Sequence, residues 1–72
     1  MTRNQMKYLR LYHGLTQAEF SRETGVSPNL IALIEAGHRD ISTTTKAKIL
    51  RRYDIADTEF LTFCERMKVV EK

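Results

Sequence analysis

Few side chains in this sequence are equipped for bond-making chemistry. The single cysteine, Cys64, excludes an intrachain disulfide, and the two histidines, His13 and His38, stand apart with no cluster of metal-ligand spacing around them. Nothing near Cys64 in sequence would activate its thiol, so it reads as a small buried hydrophobe. No catalytic constellation is visible. Positive charge is what the chain concentrates: Lys46, Lys48, Arg51 and Arg52 fall within seven residues, with Arg39 ahead of them. A net charge of +3 and a pI near 9.3 are compatible with a nucleic-acid partner without being diagnostic of one. The cluster is therefore either a phosphate-facing patch or a solvated helix face. Its chemistry is binding.

The chain that positions these groups is short. Seventy-two residues make a single domain, 1–72, with a core too small for a typical enzyme cleft and a stability of only a few kcal/mol unless it associates. Its 42% hydrophobic and 29% charged residues are ordinary for a globular protein. No apolar run approaches the ~20 residues of a membrane span or the shape of a signal peptide. The expectation is a cytoplasmic protein with no membrane contact, no metal and no cofactor. Three glycines and one proline punctuate the sequence, which divides it into about five helices and no strands, with no repeat or linker.

The stretch from Leu15 to Gly37, LTQAEFSRETGVSPNLIALIEAG, organises the rest. Thr16 and Glu19 have the spacing of a capping box, which starts a helix at Thr16. Gly25 supplies the left-handed residue that ends it near Thr24. Ser27 is a strong N-cap and Pro28 suits the first helical position, so a second helix runs from Pro28 to Ala36 and stops at Gly37. Phe20, Val26, Ile31 and Ile34 can close a small core between two helices joined by so short a turn.

This segment resembles the helix-turn-helix of the Cro/repressor (Xre-type) family of DNA-binding domains. The resemblance rests on Leu15-Thr16-Gln17, Glu19, Gly25-Val26-Ser27, Ile31, Ile34-Glu35 and Gly37. With Met6, Leu9 and Arg10 before these and Ile55 and Leu61 after, it covers roughly residues 5 to 62. It implies an all-α fold: a compact five-helix, lambda-repressor-like domain with the helix-turn-helix at helices 2 and 3. It also implies a partly buried salt bridge between Arg10 and Glu35. Gln17 would hold a phosphate and brace the recognition helix, Ser27 would touch phosphate while capping, and the His38-to-Ser42 connection would lie along the DNA backbone, offering main-chain amides to phosphate with His38 and Arg39 as further contacts. Ser27, Pro28, Asn29 and Leu33 would face the major groove. Asn29 alone there has a donor and an acceptor, as adenine recognition requires, and Leu33 could press on a thymine methyl. Pro28 cannot hydrogen-bond a base. With Leu30, Ala32 and Leu33 it leaves the outer face of this helix uncharged, a departure that points either to weak or A/T-biased readout or to a protein partner.

The flanking helices frame this unit. Helix one should run from Arg3 to His13 with Met6, Leu9 and Arg10 inward. Tyr8, Leu11 and Tyr12 are left over: Leu11 and Tyr12 lie either along the protein's own tail or against a second chain. Ser42 or Thr43 caps helix four, where Ala47, Ile49, Leu50 and Tyr53 face inward and Lys46 lays its stem on the core. Asp57 caps helix five, with Glu59 at its positive end. From about 58 to 70, Phe60, Leu61, Phe63, Cys64, Met67 and Val70 cover more than one face, which makes Phe60, Phe63, Met67 and Val70 the expected surface of a homodimer. The leading expectation is a homodimeric, sequence-specific transcriptional regulator, repressor-like and phage- or plasmid-like in size, binding an inverted repeat in double-stranded DNA. The alternative is a protein-interaction module on the same fold, such as an antirepressor, an antitoxin-like partner or an adaptor.

Overall fold

Each helix opens on a side chain that replaces a missing backbone partner. Thr2 caps α1 (Arg3–Tyr12) and Thr16 caps α2 (Gln17–Thr24), both through capping boxes, with Gln5 and Glu19 reaching back to the cap amides. The N–H of Thr16 also holds the Glu19 carboxyl below the usual carboxylate range. Ser27 accepts from the Leu30 amide at the head of α3 (Pro28–Glu35), and Ser42 accepts from the Thr45 amide at the head of α4 (Thr43–Arg52). Asp57 accepts from the Glu59 amide just before α5 (Thr58–Val70). The computed structural model describes residues 1–70, and among them these five helices are the regular structure, without a strand. α1 and α3 each stop one residue short of the expected end, His13 and Ala36 serving as C-caps.

Gly25 ends α2 at φ +77, and Thr24 locks the turn that follows. The Thr24 hydroxyl donates to the Phe20 carbonyl at 2.7 Å and accepts from the Val26 amide at 3.3 Å. Because that hydroxyl is buried and fully used, it fixes the angle at which the chain leaves α2.

The core collects Met6, Tyr8 and Leu9 from α1, Phe20 from α2, Val26 from the turn, Ile31 and Ile34 from α3, Ile49 from α4, and Phe60 and Cys64 from α5. α3 packs on both α1 and α2, α4 on α2, and α5 on α1. Tyr8, left over in the sequence reading, is thus a core residue, 2% exposed. Phe60 requires a correction of the opposite kind. It was expected between two chains, yet it is 1% exposed within its own, with Tyr12 edge-on to it at 5.6 Å. Tyr12 also meets Phe63 at 5.4 Å and donates its hydroxyl to Glu59 at 3.3 Å, so it lies along the protein's own tail. Leu11 beside it is half-buried.

α4 turns a narrower stripe inward than expected. Ile49 is fully buried with Thr45 one turn before it, whereas Ala47, Leu50 and Lys46 are exposed. Positions four apart share a helix face, and Leu50 falls about 100° around from Ile49. Thr45 tolerates burial because its hydroxyl accepts from the Ser42 hydroxyl at 3.0 Å. Burial pushes the Cys64 thiol above its ordinary pKa, as befits a packing residue.

Candidate nucleic-acid interface

α3 is held in place by one polar network. The Arg10 guanidinium forks onto Glu35, Nε to Oε2 and Nη2 to Oε1, both at 2.8 Å, and its remaining nitrogen donates to the Leu15 carbonyl at 2.9 Å. The two side chains are only 12% and 8% exposed. Hydrogen bonding to Glu35 raises the already high pKa of Arg10, so the guanidinium keeps its positive charge. Gln17, the first residue of α2, adds its amide nitrogen to Glu35 Oε1 at 3.3 Å. α1, the entry to α2, and the end of α3 are therefore joined at one carboxylate. A primary amide has two N–H groups, and Gln17 commits one of them to Glu35.

The outer side of α3 presents little that is polar. Pro28 and Asn29 are exposed on its first turn and Leu33 is half-buried a turn later. Glu35, the only charged residue of α3, is turned inward to Arg10. Ser27 is exposed, and while its oxygen accepts from Leu30 its O–H can still donate. Beyond α3 the chain leaves through Gly37 at φ +83 in a Schellman arrangement: the Gly37 amide donates to Ile34 and the His38 amide to Leu33, at 3.0 and 2.9 Å. The His38 main-chain N–H is thereby consumed, and its imidazole is the part left to meet a ligand. Arg39 and Asp40 follow, both exposed.

The sequence pattern of the helix-turn-helix family matches residues 6–60. The chain belongs to that family. An uncharacterized HTH-type transcriptional regulator of Methanocaldococcus jannaschii is 36% identical over 53 residues, which cover 74% of this chain and 80% of the relative. No solved structure gives a significant match.

The helix-turn-helix unit is α2, the turn at Gly25 to Ser27, and α3, and the structure sorts the other candidates around it. Gln17 and Ser27 belong to the unit itself, and Arg39 and His38 continue directly from α3. The basic cluster on α4 divides. Arg52 is engaged with Glu23 at 2.7 Å and lies over the Tyr53 ring at 5.6 Å, while Lys46, Lys48 and Arg51 are exposed. The Arg52–Glu23 pair is itself half in solvent and contributes little stability. Sequence reasoning missed Arg3. Its guanidinium reaches from the first position of α1 to Gly37 at the exit of α3, where a Cβ would collide with it, and no local pattern announces so long a reach. Among the described residues no group of three His, Cys, Asp or Glu side chains is placed to hold a metal ion, and no helix is long and apolar enough to cross a membrane.

Proposed function

We propose that this chain is a repressor-like transcriptional regulator that binds double-stranded DNA as a homodimer on an inverted repeat, with α3 in the major groove. The observation that carries the reading is the division of labour around α3. Its exposed first turn offers Asn29 and Pro28, with Leu33 behind them, while Gln17 on one side and Arg39 on the other present donors suited to phosphate. The Arg10–Glu35 network supplies the rigidity such a reader needs.

The deciding experiment titrates variants against selected and scrambled duplexes at two salt concentrations. Gln17→Ala and Arg39→Ala should weaken binding to every duplex alike, and Arg39→Ala should flatten the salt dependence by roughly one unit. Asn29→Ala should cost about 1–3 kcal/mol on the selected site and little on scrambled DNA, since a bidentate base contact discriminates and a phosphate contact does not. Wild-type protein that binds neither duplex below about 10 µM even at low salt would defeat the reading. The uncharged face of α3 would then favour the protein-interaction module.

Dimerisation draws on the outer face of α5. Val70 is 75% exposed, and the half-buried Phe63 and Met67 fall on the same side of the helix, within about 60° of one another. Sedimentation should give a dimer at micromolar concentration, and Met67→Glu or Val70→Glu should give folded monomers, because a charge loses its hydration in an apolar interface without gaining a partner. Monomeric wild-type protein at hundreds of micromolar would show that α5 does not associate.

A further inference from the structure

We infer that Arg3 is a phosphate ligand, which adds to the phosphate contacts already expected of Arg39 and the connection's backbone and completes an anion cleft at the exit of α3. The inference rests on the DNA-binding reading above. Arg3 is the first residue of α1, yet Nη1 and Cζ of its guanidinium lie against Gly37, in the space a side chain there would fill. The glycine thus serves two ends at once: its positive φ ends α3, and its missing Cβ admits the arginine. Arg3, Gly37, Arg39, Asp40 and Ile41 line a single open cleft of about 420 Å3.

The charged side chains of this cleft lack ion-pair partners. Among the described residues Arg10 is paired with Glu35 and Arg52 with Glu23, whereas Arg3, Arg39 and Asp40 make no ion pair. Nor do the main-chain N–H groups of Arg39, Asp40 and Ile41 make a hydrogen bond among those residues. Two guanidiniums against one carboxylate leave the cleft net positive, and the unused N–H groups add donors that an anion can accept from. The planar fork of arginine matches the oxygens of a phosphate. Since the cleft adjoins the end of the helix assigned to the groove, the phosphate is one of the DNA backbone. Asp40 opposes it and moderates the hold.

The test uses the full chain and a duplex selected from random sequences. Arg3→Gln should melt with wild type and should lower the slope of log affinity against log salt by about 0.9 per bound protomer, so that its affinity deficit shrinks about 3- to 4-fold per protomer between 50 and 200 mM salt. Asp40→Asn should tighten binding to all duplexes. Methylphosphonate substitution, one phosphate at a time, should reveal a position whose neutralisation weakens wild type and leaves Arg3→Gln unaffected. A slope change in Arg3→Gln no larger than in Arg66→Gln, whose exposed side chain sits on α5, would overturn the inference. So would equal sensitivity of wild type and Arg3→Gln at every phosphate. Should Arg39→Gln flatten the slope while Arg3→Gln does not, the inference falls and DNA binding stands; wild type that binds no duplex removes both.

Discussion

Glu35→Ala should cost on the order of 3 kcal/mol of stability, against about half a kcal/mol or less for Arg39→Ala. Both changes delete one charge, so the contrast isolates the surroundings. Arg39 is exposed and unpaired among the described residues, whereas Glu35 is 8% exposed and is the acceptor for three nitrogens, two from Arg10 and one from Gln17. Its removal strands the Arg10 guanidinium in a site only 12% exposed, with just the Leu15 carbonyl left to it. Glu35 supplies the only opposite charge and two of the three hydrogen bonds that offset taking Arg10 out of water, so most of the desolvation penalty returns. The double replacement Arg10→Met with Glu35→Leu should recover much of the loss, because no unpaired charge remains. Thermal melts of the four proteins decide the matter. Equal midpoints for Glu35→Ala and Arg39→Ala would mean that the network contributes nothing to the fold.

Phe20→Ala should be at least as damaging, about 3–5 kcal/mol, which is comparable to the whole stability expected of a domain this small. The Phe20 ring is fully buried and stacks on Tyr53 at 6.0 Å with 14° between the planes, at the contact between α2 and α4. α4 turns only Thr45 and Ile49 fully inward, so it has few other buried apolar contacts with which to stay attached. Phe20→Leu, which preserves most of the volume, should cost less than about 1.5 kcal/mol. Urea titrations of both variants test this, and a loss below about 1 kcal/mol for Phe20→Ala would show that α4 is held by something else.

These two sites also mark what could be read beforehand. Helix boundaries were legible because their causes are local: Thr16 and Glu19, Gly25, and Ser27 with Pro28 act within a turn of the chain. The Arg10–Glu35 pairing came from resemblance, since nothing in the spacing of two distant charges implies a contact. Burial was harder, because it depends on which element lies opposite. Sequence alone leaves Tyr8 unplaced and puts Phe60 in a dimer surface, because nothing local shows that α1 and α5 cover each other. Ala47 and Leu50 were placed inside by hydrophobicity, when α4 touches α2 along a strip narrow enough for Thr45 and Ile49 to fill. The Arg3 cleft had no signature, because it joins the first turn of the chain to the exit of α3.

The outward residues of α3 enter neither the buried core nor the Arg10 network. Pro28 and Asn29 are exposed, and the ion pair that orients the helix lies at its other end. On the proposed reading, substitution at Asn29 should alter which bases are preferred while leaving folding stability and backbone attraction nearly constant. If α3 reads DNA as proposed, such a surface can drift to a new operator one residue at a time, with each intermediate still folded and still held by the proposed phosphate contacts.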